Sequence, residues 1–399
     1  MRAPGGAATT RSPGRGGPAG AAEAGRCPGG GPTGFAAPSP AGMLRPGERH
    51  PGRRPMPGPF APAIPAAARA PVRRAIRRRD LIPLCAAAAA WPLGARAERG
   101  PRRIGILVTG SPDSHGAFVA AFRRRLAELG HAEGRDVAFD LRWSEGRIER
   151  LGPLAEDLAQ LAPDLVVTST TAAALAAKRV MPERPIVSAT LIDPIGAGLV
   201  TSLARPGGTV TGMLISFETL LGKQLEVARE MLPGVTRIGM LVNPANPVIP
   251  FQRENTQAYA DRLRARLIPV EARSPADLDA AFATFARDSA GFVIVLLDAL
   301  FITHRARIAE LALASRVPTV AGARELAEAG GLVSYGIDLS ATWRQAAAFA
   351  DRVLRGARPA DLPVELPTKY ELVLNLGAAS RFGITVSTML LARADTVIE

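Results

Sequence analysis

Cysteine is almost absent: two residues in 399, Cys27 and Cys85, both within the first 97. Residues 98–399 therefore form no disulfide, bind no metal through thiolate and hold no cysteine nucleophile. Histidine is nearly as sparse, four in all, and the three within residues 98–399, His115, His131 and His304, lie far apart in sequence and without metal-ligand spacing, which reads as three surface residues. No phosphate-binding glycine loop with its lysine occurs, the glycines at 196 and 198 lack the third of a dinucleotide fingerprint, and no G-x-S-x-G elbow is present. These gaps argue against an enzyme, a resident cofactor or a metal. An apolar run long enough to span a bilayer, about 20 residues, is also missing.

The net charge of +13 is distributed unevenly. Residues 1–97 hold 15 of the 49 Lys and Arg and 3 of the 36 Asp and Glu, so almost all of the excess lies there and the rest of the chain is close to neutral. A basic nucleic-acid-binding surface is excluded on that ground. Residues 1–71 form a Pro- and Gly-rich extension; 14 Pro and 15 Gly in the first 70 residues, without helical or strand periodicity, predict disorder. Arg73, Arg74 and Arg77 to Arg79 then precede LIPLCAAAAAWPL (81–93) and Ala95-Arg96-Ala97, the order of a signal peptide over 72–97 cleaved after about Ala97. The Arg78-Arg79 pair is compatible with twin-arginine export, and the ordinary secretory route stays open. A signal starting near residue 72 predicts a translation start downstream of Met1, at Met56 or Val72.

From residue 102 short apolar runs alternate with helices of 3.6-residue period, which predicts βαβ units and parallel sheets. Strands are expected at 104–108, 137–143, 165–168, 186–189 and 210–214. After a helix over 217–232 the pattern restarts at 237–242, with a long helix ending near 267 and strands near 267–270, 292–297, 318–321 and 332–335. The fold class expected is α/β: two doubly wound, Rossmann-like lobes joined by a multi-strand hinge. Lobe 1 is assigned 98–215 and about 337–362, and lobe 2 about 216–336 and 363–399. The helix over 341–354 and the proline-rich tail from Pro359 need a surface to pack on.

Parallel sheets bind ligands beyond the carboxyl ends of their strands, where loops meet helix N-termini. The polar residues at those positions are Ser111 and Asp113, then Ser169, Thr170 and Thr171, then Asp193, and in the second half Asn243, Asn246, Asp298 and Tyr335. Ser114 and Thr171 are also candidates for helix N-caps. Thr168 to Thr171 are four consecutive hydroxyl residues, more than one cap uses, and with the helix N-terminus they suit a carboxylate.

The chain resembles the ABC-transporter substrate-binding family of type 1 periplasmic binding fold. The resemblance is carried by EGRDVAFDLRWSEGRIERLGPLAEDL (133–158), DPIGAGLVTSLARPGGTVTG (193–212), LVNPANP (241–247), AGGLVSYGID (329–338), GARPADLPVELPTKYELVLNL (356–376) and LLARADTVIE (390–399). It implies a monomeric periplasmic protein that binds an amino-acid-like solute in a cleft between lobes. Delivery to a permease and ATPase on separate chains follows from the same resemblance. A sensor subunit for a membrane kinase, or an α/β enzyme using Asp193 or Asp298 as acid or base, are the alternatives.

Overall fold

The computed structural model describes residues 100–399, all within one compact unit; the proline-rich extension and the signal segment lie outside the described residues. Five strands make the first sheet: β1 (Arg102–Val108), β2 (Val137–Trp143), β3 (Leu165–Thr168), β4 (Ile186–Leu191) and β5 (Val210–Leu214). All pairs are parallel, in the order β2-β1-β3-β4-β5. Parallel strands carry helices on both faces and so need side chains buried on both. That is why β3 reads LVVT and β4 IVSATL, with every residue buried. β2 is an edge strand and is only partly covered.

Helices α1 (Pro112–Glu128), α2 (Leu151–Gln160) and α3 (Thr171–Val180) connect these strands. Ser111 caps α1, in a reciprocal capping box with Ser114, and Thr170 caps α3, so each cap lies earlier than the Ser114 and Thr171 expected.

The chain then leaves the first sheet. Helix α4 (Phe217–Met231) packs on a second sheet built from β6 (Arg237–Val242), β7 (Arg266–Glu271), β8 (Phe292–Val295), β9 (Thr319–Ala321) and β10 (Val333–Ile337). Between these strands run α5 (Ile249–Arg262), α6 (Leu278–Arg287), α7 (Ala299–Thr303), α8 (Arg305–Ala314) and α9 (Arg324–Glu328). Helix α5 ends short of the expected residue 267. Arg264 turns left-handed (φ 53°) and Ala265 N–H donates back to the Ala260 carbonyl, which closes the helix and releases the chain into β7.

Helix α10 (Leu339–Leu354) returns to the first lobe and packs on α1 and on β3 to β5. There Trp343, 1% exposed, meets Phe122 edge-on at 6.3 Å. A second return follows along β5, with Leu214 N–H donating to the Glu365 carbonyl and Glu365 N–H to that of Gly212. The tail then joins the second sheet through β11 (Tyr370–Asn375), antiparallel to β10, and β12 (Thr396–Ile398). The proline-rich tail thus finds its packing surface as two strands added to one side of the second sheet, β12 at the edge and β11 inside it, with α11 (Leu376–Phe382) and α12 (Thr388–Arg393) between them in sequence. The result is the expected pair of doubly wound lobes joined by several crossing segments.

Candidate ligand-binding site

A cavity lies where the carboxyl ends of the strands of both lobes meet. Lobe 1 supplies Thr109 after β1, Ser169, Thr170, Thr171 and Ala172 after β3, Thr190 and Ile192 at the end of β4, and His115 and Phe118 from α1. Lobe 2 supplies Asn246 and Val248 after β6 and Leu297, Asp298, Ala299 and Ile302 after β8; Ile148 and α10, through Leu339 and Trp343, complete the wall. The free volume is about 40 Å³.

The lobe 1 wall is a lattice of hydroxyls. Thr109 N–H donates to Ser169 Oγ at 2.8 Å, and Thr109 Oγ1 lies 2.9 Å from Ser169 Oγ and 2.8 Å from Thr170 Oγ1. Thr190 Oγ1 donates to the Ser169 carbonyl at 2.6 Å. Thr171 Oγ1 donates to the Ile192 carbonyl and accepts from Ile192 N–H, tying the loop after β3 to the end of β4. Thr171 and Ala172 contribute the first N–H groups of α3, which have no intrahelical acceptor and sit at the positive end of the helix dipole. This wall suits an anion.

The lobe 2 wall is built around Asp298, the only Asp, Glu, Lys or Arg that lines the cavity. Asn243 Nδ2 donates to its Oδ1 at 3.2 Å, Asn246 Nδ2 to its Oδ2 at 2.7 Å and Leu300 N–H to Oδ1 at 2.9 Å. Burial nevertheless dominates and pushes the Asp298 carboxyl above its ordinary range, against the three hydrogen bonds that favour the anion. A cation brought beside it would favour the charged form.

Two contacts between the lobes border the cavity. Ser114 Oγ on α1 lies 3.1 Å from Thr303 Oγ1 on α7. Gly146, in the loop after β2 with φ 79°, faces Leu300 so closely that an added Cβ would stand 3.1 Å from the Leu300 Cα. His115 lies beside the first contact, with Nδ1 2.8 Å from Ser114 Oγ. Its ring covers Gly110, where any Cβ would fall 2.0 Å from Nδ1. His115 is 5% exposed rather than at the surface as its isolation in sequence led one to expect, and burial, with Arg305 adding to it, lowers its pKa to about 4. It is neutral at pH 7.

Of the residues singled out from sequence, Ser169, Thr170, Thr171, Asn246 and Asp298 line this cavity. Asn243 stands behind it, 1% exposed, as a donor to Asp298. Ser111 caps α1, and Asp113 is exposed in that helix's first turn. Asp193 adopts φ 44° and accepts from Gly196 N–H at 2.9 Å, a turn role. Tyr335 stacks on Tyr370 at 6.2 Å within the second sheet. Thr109, Thr190, His115, Phe118 and Trp343 reach the cavity without having been singled out as binding residues. The position of Thr109 directly after β1 was the one available signal.

A family described as ABC transporter substrate binding protein matches residues 103–398. A tyrosine-binding protein of Clostridioides difficile (strain R20291) is 24% identical over 254 residues, 64% of this chain and 73% of that protein. Among solved structures, an ABC domain in complex with L-Trp from Streptococcus pneumonia is 27% identical with a TM-score of 0.69, over 75% of this chain and all of that one. A conserved domain protein from Vibrio cholerae is 26% identical with a TM-score of 0.70, over 74% of this chain and 99% of that one. The match across both lobes shows that the chain belongs to the ABC transporter substrate-binding protein family.

Proposed function

We propose that this protein is the periplasmic solute receptor of an ABC importer and that its solute is an α-amino acid or a close zwitterionic analogue. The observation that carries the reading is the pairing of opposite chemistries across one cavity. Hydroxyls and a helix N-terminus from lobe 1 face a buried carboxylate from lobe 2. The solute carboxylate would sit against Ser169, Thr170, Thr171 and the first amides of α3. Its ammonium would sit against Asp298, held in place by Asn243 and Asn246. The apolar remainder of the wall, including Phe118 and Trp343, would cover the side chain. The tyrosine and tryptophan named for two relatives agree with a ligand of this class.

Each end of the zwitterion engages a different lobe, so the solute favours the closed form by the contacts that only that form completes. The closed monomer would then dock on a permease and ATPase carried by separate chains. Export with cleavage after about Ala97 would place it in the periplasm. No chemical conversion is involved: the protein binds and releases.

Mass spectrometry of small molecules released from the purified protein, followed by thermal-shift titration of the compounds found, tests this reading. An unchanged amino acid that raises the melting temperature is expected, with about 2.7 kcal/mol of stabilisation at a hundredfold excess over Kd. A neutral sugar as the sole ligand, or a compound chemically altered on incubation, would contradict it.

A further inference from the structure

A second concavity adjoins the cavity and shares Ile148 and Ala172 with it. It is larger and more open, about 580 Å³. Its floor is a stripe on α3, Ala172, Leu175, Ala176 and Arg179, at the i, i+3, i+4, i+7 spacing of one helix face. Seven residues of helix rise about 10 Å, so the groove runs that far from the shared Ala172 to the guanidinium. The start of α2 forms the facing side through Leu151 and Pro153.

Lobe 2 contributes Ala245 and Pro247 to the lining. Pro247 lines the groove and the next residue, Val248, lines the cavity, as the half-buried Ile148 of lobe 1 lines both. Ile148 and Ala172 line both spaces, so the Ile148 side chain, the larger of the two, stands at their junction.

At the outer end Arg179 is exposed and makes no ion pair or side-chain hydrogen bond among the described residues. Its Nη2 lies across Gly152, where an added Cβ would stand 2.9 Å away. Glu149, the one acid in the lining, is not paired with it. An apolar channel that begins at the solute cavity and ends at a lone cation has the polarity of a hydrocarbon chain ending in an anion.

We propose that this groove is a second subsite, for an apolar, anion-terminated extension of the solute, and that Ile148 sets the solute length the protein accepts. The proposal rests on the amino-acid reading of the main cavity. Isothermal titration with straight-chain α-amino acids of three, six and nine side-chain carbons, each with and without a terminal carboxylate, tests it in the wild type, Ile148→Ala and Arg179→Gln. In Ile148→Ala the ratio of long-chain to short-chain affinity should rise about tenfold over wild type, the worth of roughly two buried methylenes. The terminal carboxylate should add about a further threefold to fivefold, which Arg179→Gln removes while leaving short-chain binding unchanged. A length preference that Ile148→Ala leaves untouched, with short amino acids still bound, would overturn the subsite alone. Failure of the wild type to bind any α-amino acid would overturn the amino-acid reading and the subsite together.

Discussion

The two walls of the cleft share an architecture and differ in chemistry. Both are made by the loops after parallel strands, β1, β3 and β4 in one lobe and β6 and β8 in the other. Lobe 1 presents Thr109, Ser169, Thr170, Thr171 and Thr190, neutral groups that satisfy one another and leave helix amides facing the cavity. Lobe 2 presents one carboxyl held by amide donors and starved of water. A hydroxyl lattice costs little to keep buried without ligand, because its hydrogen bonds are internal. A buried carboxylate is costly until a cation arrives. On the proposed function this difference would give the cleft a polarity, with the anionic end of a solute on lobe 1 and the cationic end on lobe 2, so that a dipolar ligand needs both lobes.

Removing the charge from lobe 2 should break this contrast most severely. Asp298→Asn is expected to weaken amino-acid binding by about 4 kcal/mol, roughly a thousandfold, in isothermal titration, because the ammonium loses its only buried partner. In the wild type, affinity should fall as pH is lowered into the range where the raised Asp298 carboxyl takes up a proton.

The next effect belongs to the lobe 1 side of the interlobe contact. The folded pKa of His115, about 4, lies below its ordinary 6.5, so the folded state binds this proton less tightly than the unfolded chain. Stability from this group is complete above pH 6.5 and is lost as pH falls from 6.5 to 4, by about 3 kcal/mol. Urea denaturation between pH 4 and 7 should show that slope in the wild type and a flatter one in His115→Phe.

A smaller change should come from holding the walls apart. Gly146→Val places a branched side chain at a left-handed position facing Leu300, and is expected to cost about 1–2 kcal/mol in binding, with small-angle scattering showing a more open protein in the presence of ligand. The mildest change is Ser169→Ala. It removes one member of the hydroxyl lattice and should cost about 1 kcal/mol, fivefold in affinity, with closure intact.

Much of this arrangement was legible in the residues. Strands buried on both faces announce themselves as apolar runs, and those at 137–143, 165–168, 210–214 and 237–242 have the bounds their composition indicates. Asn246, Asp298 and the hydroxyls at 169–171 reach the cavity because strand ends in parallel sheets point there. Strands β11 and β12 escaped notice: they follow a proline-rich segment, and β11 pairs antiparallel with β10, more than 30 residues away. Thr190 was hidden because it continues β4 beyond the expected end at residue 189. Trp343 and His115 reach the cavity through the packing of α10 on α1, a contact between segments more than 200 residues apart that no local pattern encodes.

The polarity of the cleft is the central claim, and it is tested most directly by titrating the bound amino acid against its methyl ester and its N-acetyl derivative. The account predicts that both blocked forms lose binding, the ester against lobe 1 and the acetyl compound against Asp298, and that Asp298→Asn narrows the gap between the N-acetyl form and the free amino acid. Equal binding of all three compounds by the wild type would contradict it.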